Sequence, residues 1–232
     1  MKVTCQLSEV ASLENLLNAW EEFLRGKRGK PDVQDFKLYF MDNLIELHRD
    51  LVWKRYYHGG YEAFKIQDPK PRDIHKASVR DRLVHHAIYR LLYPEFDKRF
   101  IHDSYSCRRG KGTHKAMDRF RAMAYEVSQN HTRTCWVLKL DIRKFFASID
   151  HRVLEKILAS AIVDEDLLWL TDEIINSFYS IRPGVGLPLG NLTSQLFVHL
   201  HERVRPVREA QTSIQALHPL CRRLCFSVTR ST

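Results

Sequence analysis

The sequence predicts an α+β fold, rich in helix with a small antiparallel sheet. Three observations carry this prediction. Long stretches repeat apolar residues with a helical period, and one proline-punctuated segment near residue 70 has the shorter period of a β-hairpin. A short apolar run, Val137, Leu138, Leu140 and Ile142, reads as a strand.

At 232 residues the chain has material for one large domain or two small ones and an ample core. Lys plus Arg is 37 against 28 for Asp plus Glu, a formal charge of +9 and a pI near 9.4. That balance favours a polyanionic partner, because each neutralised phosphate releases condensed counterions. No apolar run is long enough to span a membrane, and the N-terminus has no secretory h-region. The expectation is a soluble, cytoplasmic protein with no membrane partner. Cysteines at 5, 107, 135, 221 and 225 are odd in number and form no C-x-x-C pair, which fits reduced thiols.

The elements follow in order. Leu13, Leu16, Leu17, Trp20 and Leu24 predict a helix from Ser12 to Arg25, ended by the basic loop Gly26 to Pro31. A second helix is expected from Asp35 to Trp53, with Phe36, Phe40, Leu44, Leu47 and Leu51 on one core face. Tyr61 to His75 reads as a hairpin whose prolines, Pro69 and Pro71, keep it at a sheet edge. Lys70 and Arg72 would project from it, and this stretch alone favours edge protection by charge over ligand binding. Val79 to Leu92 is helical. Its His85-His86 pair makes a poor metal site, since adjacent helix residues diverge and no third ligand is in register.

Ser104 to Lys115 places Arg108, Arg109 and Lys111 among glycines ahead of a helix carrying Met117, Phe120, Ala124 and Val127, with Thr113 as the expected cap. That is a plausible anion site, although it lacks the Walker spacing of a nucleotide triphosphatase. The segment from Val137 to His151 follows: a strand that delivers Asp141, then two aromatics, then Asp150 as the expected N-cap of a helix from His151 to Ala161. Spacing alone leaves Asp141 open between a turn residue and a ligand for a hard cation. A further helix is expected from Asp164 to Phe178. The loop from Arg182 to Gly190, too long for a simple turn, feeds a helix start at Asn191 to Phe197.

Together these motifs resemble bacterial retroelement reverse transcriptases, the family of group II intron and diversity-generating enzymes. Leu140 to His151 is similar to the first palm motif and Gly186 to Gln195 to the second. Arg72 to His86 and Ser104 to Met117 are similar to two finger motifs, all in the family's order. The resemblance implies fingers and a partial palm over residues 59–198, a helical N-terminal extension over 1–58 and an anomalous basic tail over 199–232. It implies Mg²⁺, held by Asp141 with the Ile142 carbonyl, and RNA-directed DNA synthesis. Phe146 becomes the ring that excludes a ribose 2′-hydroxyl. Arg72 and Lys70 would hold the triphosphate of a deoxynucleotide, reversing the reading as edge protection. Leu189, Gly190 and Gln195 would line the nucleotide site, and Leu189-Gly190 with Ser194-Gln195 is most similar to the subgroup that diversifies its targets. Arg80, Arg82, Arg108, Arg109 and Lys111 are candidates for the phosphates of an RNA template and a DNA or RNA primer. The resemblance leaves room for a small basic accessory protein.

One part of the family pattern is missing. The family completes its metal site with a Tyr-x-Asp-Asp hairpin, yet this sequence contains no Asp-Asp pair and no aspartate after Asp172. Two divalent ions about 4 Å apart repel by roughly 17 kcal/mol at an effective dielectric near 20, so Asp141 alone cannot gather them. From His199 onward there are six arginines and no lysine, aspartate, glycine, asparagine or tyrosine. If Arg222, Arg223 and Leu224 are encoded CGN CGN CTN, the frame one base later permits Asp-Asp. Leu217 to Phe226 then permits Tyr-Ile-Arg-Tyr-Ala-Asp-Asp-Phe-Val. The expectation is a frameshift near Val198 and a chain that does not polymerise. Cys221, Cys225 and His218 are then accidental rather than zinc ligands. The rival readings are a non-catalytic basic RNA-binding protein derived from such an enzyme, and a product that barely folds.

Overall fold

A computed structural model describes residues 2–67, 71–137, 139–140, 144–204 and 227–228. In chain order its helices are α1 (Leu7–Ala11), α2 (Leu13–Phe23), α3 (Pro31–Leu38), α4 (Phe40–Val52), α5 (Val79–Asp97), α6 (Thr113–Val127), α7 (Phe145–Ser148), α8 (His151–Ala161), α9 (Glu165–Asn176) and α10 (Leu192–Val204). The strands are β1 (Tyr61–Ile66), β2 (Arg72–Ala77), β3 (Lys139–Leu140) and β4 (Ser227–Val228). This is the expected α+β class, helix-rich with a small antiparallel ribbon. Two compact units divide the chain: Met1–Lys98 with Phe146–Leu200, and Arg99–Phe145 with His201–Thr232.

The larger unit is built on α2 and α5. Leu16, Ala19 and Phe23 of α2 and Leu83, Val84, Ala87, Ile88 and Leu92 of α5 are fully buried, as are Leu44, Leu47 and Leu51 of α4. Each buried Leu or Phe contributes about 1.5–3 kcal/mol over leaving it in water, so this stripe dominates the unit's stability. Short polar residues start the helices by accepting from backbone N–H groups two or three residues on. Ser12 accepts from Asn15, Ser78 from Asp81, and Asp150 from Val153, which gives Asp150 its expected cap role. Asp164 caps α9 through two amides and also accepts from the Leu7 amide at 2.7 Å, fastening α1 to α9.

Two expected boundaries move. The single helix over 35–53 is two helices, because Tyr39 leaves helical geometry at φ −117° and ψ 38°. Asn43 compensates: its side-chain amide donates to the Phe36 carbonyl at 2.9 Å. The helical period survives the break, since Phe36 and Phe40 both pack on the Trp20 ring, at 5.4 and 4.8 Å. Helix α5 runs past Leu92 to Asp97 through Pro94, with Tyr93 and Phe96 buried on either side of it. Those two rings hold the helix across a residue that cannot donate an N–H.

The hairpin forms as expected, antiparallel with Tyr61 opposite Ala77 and Ile66 opposite Arg72. Lys70, between the two strands in sequence, lies outside the described residues.

In the smaller unit, α6 begins at Thr113 itself, and the cap position belongs to Gly112 at φ +122°, without a side-chain bond. The expected threonine cap is therefore displaced by one residue: only glycine enters the helix cheaply at that φ. None of the residues of α6 is buried, and Met117 and Phe120 stand 48 % and 40 % exposed. Strand β3 pairs in parallel with β4, Lys139 beside Ser227 and Leu140 beside Val228.

Candidate functional site

In the larger unit two glycine-bearing segments meet the hairpin and the start of α8. The first is the turn over 180–187, which is stitched to residues 146–151. Leu187 N–H donates to the Phe146 carbonyl at 2.8 Å, Gly186 N–H to Ile149 O at 2.8 Å, and His151 N–H to Gly184 O at 2.9 Å. The Ser180 hydroxyl donates to Ala147 O at 2.7 Å. His151, buried, donates its Nε2–H to Gly186 O at 2.7 Å, and its Nδ1 lies 3.4 Å from Asn176 Oδ1. Phe146 is half-buried, and its backbone is thus fixed by a loop some forty positions later in the chain.

Glycine at 186 is a steric requirement. Its φ is +110°, and a Cβ there would lie 2.4 Å from Ser180 Oγ and 2.7 Å from Ser180 Cβ. No side chain is accommodated without moving the turn.

The second segment is the strap Leu189, Gly190 and Asn191, which runs along β2. His75 N–H donates to Leu189 O at 3.1 Å, and the buried Asn191 donates its Nδ2–H to His75 O at 3.3 Å. Gly190, at φ +106°, brings its Cα so close to the strand that a Cβ would meet Ile74 Cγ2 at 3.1 Å. Arg72 starts the same strand, and its Nε is buried with no hydrogen-bond partner among the described residues. A buried guanidinium nitrogen left unpartnered by protein is a donor available to an anion. Gln195 sits in the first turn of α10, its N–H on Asn191 O at 3.3 Å.

Behind the ribbon lies a polar chain that sequence reading did not foresee. His58 Nδ1–H donates to Gly59 O at 2.6 Å, which leaves its Nε2 to accept from His85 Nε2–H at 3.0 Å. His85 Nδ1 then accepts from the Thr193 hydroxyl at 3.4 Å. A neutral His85, donating at Nε2 and accepting at Nδ1, satisfies this order. Burial accordingly pushes the His85 pKa well down, with His58 adding to the effect. Asp81 and His85 sit in the same helical stripe as Ile88 and Leu92, and that polar interruption of an apolar face was the available signal. Asp81, buried, accepts from Tyr56 Oη at 2.8 Å and Ser78 Oγ at 2.6 Å.

Cations differ in what they meet. Arg80 pairs with Asp50 at 2.6 Å and Arg82 with Asp32, whose carboxyl is held below its usual range by Lys76 and Arg82 against the effect of burial. Arg82 also lies over the Phe23 ring. Both guanidiniums are thereby largely neutralised inside the larger unit. In the smaller unit Arg108 donates to the carbonyls of Ile101 and Ser104 at 2.9 and 3.2 Å, and Lys111 to His102 O at 2.9 Å. Lys115 donates to Gly110 O at 2.7 Å, and Arg109 is exposed in the same loop. A carbonyl orients a cation without cancelling its charge, so this loop keeps a positive field ahead of α6.

Asp141 and Ile142 lie outside the described residues, as Lys70 does. Among the described residues no group of three or more His, Cys, Asp or Glu side chains could hold a metal ion. The described side chains do not by themselves fit a two-ion centre. No helix among the described residues is long and apolar enough to cross a membrane.

A helix-rich body with one antiparallel ribbon beside glycine-bearing palm-like loops is the arrangement of reverse-transcriptase fingers and palm. Solved structures agree: the chain is similar to part of a structure titled "Partial Cas6-RT-Cas1–Cas2 complex", with TM-score 0.58 and 16 % identity over 90 % of this chain and 35 % of that one. A "Cas6-RT-Cas1–Cas2 complex" gives the same TM-score and identity, covering 90 % of this chain and 22 % of that one. Residues 66–210 match the family "Reverse transcriptase (RNA-dependent DNA polymerase)". The chain belongs to that family. It is 25 % identical over 145 residues to the putative COX1/OXI3 intron 1 protein of Saccharomyces cerevisiae, covering 58 % of this chain and 16 % of the relative. It is 27 % identical over 150 residues to the protein YkfC of Escherichia coli, covering 58 % of this chain and 38 % of that protein. The chain therefore spans well under half the length of these relatives.

Proposed function

We propose that this chain is the fingers and partial palm of a retroelement RNA-directed DNA polymerase, acting by nucleotidyl transfer with Mg²⁺. Residues 1–58 form its N-terminal extension and residues 59–198 its fingers and partial palm. The observation that supports this best is the family match over residues 66–210, which takes in Arg72 on β2 and the loops around Phe146 and Gly190. In this reading Arg72, with Lys70, meets the triphosphate of a deoxynucleotide, and the Phe146 ring blocks a 2′-hydroxyl by collision. Leu189, Gly190 and Gln195 line the nucleotide pocket, as in enzymes that diversify their targets. Asp141 and the Ile142 carbonyl would hold the metal, whose contribution is to stabilise charge on the entering and leaving oxygens. Template and primer are held through their phosphates, with Arg80, Arg82, Arg108, Arg109 and Lys111 as the candidates, of which Arg80 and Arg82 also face carboxylates.

We further propose that these 232 residues do not polymerise, since they contain no Asp-Asp pair, and that residues 199–232 are read out of frame. The gene decides the frame: Asp-Asp must be encoded one base later across Arg222 to Leu224. The protein decides the activity. Purified chain is expected to incorporate no deoxynucleotide on a primed RNA with Mg²⁺, and the frame-restored chain is expected to do so and to lose it on Asp141→Ala. Incorporation by the chain as it stands, abolished by Asp141→Ala, overturns the proposal of inactivity.

A non-catalytic RNA-binding protein is the second reading. It is favoured by the loop of Arg108, Lys111 and Lys115, whose cations are bonded to neutral carbonyls. It predicts salt-sensitive RNA affinity unaltered by Asp141→Ala even in the frame-restored chain.

A further inference from the structure

Strand β2 is bonded on both edges. On one side it pairs with β1, with Ala63 opposite His75. On the other, the strap gives His75 two bonds in ladder order: the Leu189 carbonyl accepts from its N–H at 3.1 Å, and Asn191 Nδ2 donates to its carbonyl at 3.3 Å. A third strand would offer a backbone N–H at that second point; here a side-chain amide stands in for it. Asn191 is 4 % exposed, so water does not compete for the bond. Gly190 passes Ile74, the residue between His75 and Asp73, at a distance that leaves little room for a Cβ, which would meet Ile74 Cγ2 at 3.1 Å. The seating is therefore defined by two bonds and the close passage of Gly190 at neighbouring positions, while the far end of β2 carries Arg72, whose Nε has no hydrogen-bond partner among the described residues. Three residues of strand, about 10 Å, separate the anchor from the arginine.

We propose that Asn191 is a positioning residue for Arg72: by supplying the missing ladder bond it fixes the seating of β2, and so the place from which Arg72 meets the triphosphate of an incoming nucleotide. This rests on the reading of Arg72 given above. Asn191 touches no substrate in this scheme. Its action is through the strand, and its link to the palm-like loop lets one motif set the position of another that lies more than a hundred residues earlier.

The test uses the full 232-residue chain with a primed RNA and Mg²⁺, and measures the Kd of a fluorescent deoxynucleoside triphosphate for wild type, Asn191→Asp, Arg72→Ala and the double variant. Asp is isosteric with Asn and, when ionised, cannot donate. One net hydrogen bond corresponds to about fivefold in Kd. Asn191→Asp is expected to weaken binding by about that factor in the wild-type background and to add nothing after Arg72→Ala. Asn191→Ala, followed by hydrogen exchange over residues 72–77, guards against a variant that fails to fold. Faster exchange there with an unchanged thermal midpoint supports the proposal. Equal losses in both backgrounds, or unaltered exchange in β2, overturn it while leaving Arg72 in place. If Arg72→Ala leaves the Kd unchanged, or wild type shows no binding, the reading of Arg72 fails and this inference falls with it.

Discussion

Replacing Gly186 by alanine should be among the most damaging single changes outside the core. The new Cβ would stand 2.4 Å from Ser180 Oγ, 2.7 Å from Ser180 Cβ and 3.0 Å from Ser180 N, on a residue at φ +110°. Backbone strain at such a φ costs about 1–3 kcal/mol for a non-glycine residue. Forcing Ser180 aside adds about 1–3 kcal/mol of overpacking and loses its bond to Ala147 O, worth about 1 kcal/mol. A loss of about 4 kcal/mol is expected, read as a shift in urea midpoint at constant m. Gly184→Ala is the control, because Gly184 has φ +79° with nothing within 4 Å of a Cβ. It should show strain alone, about 1–2 kcal/mol. In a Ser180→Gly background the Gly186→Ala loss should shrink, because two of the three close atoms are gone, and the cycle reports that coupling. If Gly186→Ala and Gly184→Ala cost the same, the steric argument is refuted, and with it the view that the turn over 180–187 fixes the Phe146 backbone.

Two titrations supply further checks. Burial first, then Glu155 and Glu173, push the Asp172 pKa up to about 6, so the folded state holds that proton more tightly than the unfolded chain does. Stability is therefore lost as pH rises from near 4 through about 6, and Asp172→Asn should add about 1 kcal/mol at pH 7.5, after allowance for solvent at a half-buried site, and nothing below pH 4; a pH-independent difference in melting refutes this. His85 has its pKa depressed, so its contribution is complete above the unfolded value near 6.5 and is lost below it. Relative to His85→Gln, wild type should lose about 1 kcal/mol between pH 6.5 and 5.5, and parallel curves for the two proteins would sink the neutral state of His85.

Local signals in the sequence were read well where chemistry is local. Asp150 was expected to cap α8 and does, because an aspartate beside an amphipathic run answers orphan N–H groups three residues away. The prolines and shortened period around residue 70 marked the ribbon. What escaped depends on distant partners. Nothing near Arg80 and Arg82 announces Asp50 and Asp32, the carboxylates with which they pair in the fold. Nothing near Asn191 announces His75, 116 residues earlier. The break at Tyr39 was hidden because both helices keep one apolar period across it, and the repair by Asn43 is a tertiary choice rather than a propensity.

The manner in which Arg108, Lys111 and Lys115 are held bears on kinetics as much as on affinity. Long basic side chains ordinarily surrender about 1.5–2 kcal/mol of rotamer freedom each when a ligand immobilises them. Here three cations are already oriented by the carbonyls of Ile101, Ser104, His102 and Gly110. In the proposed nucleic-acid role, a polyanion arriving at this loop would meet charges whose ordering cost was met when the loop folded, so loosening the loop should shorten the lifetime of the complex more than it slows the encounter.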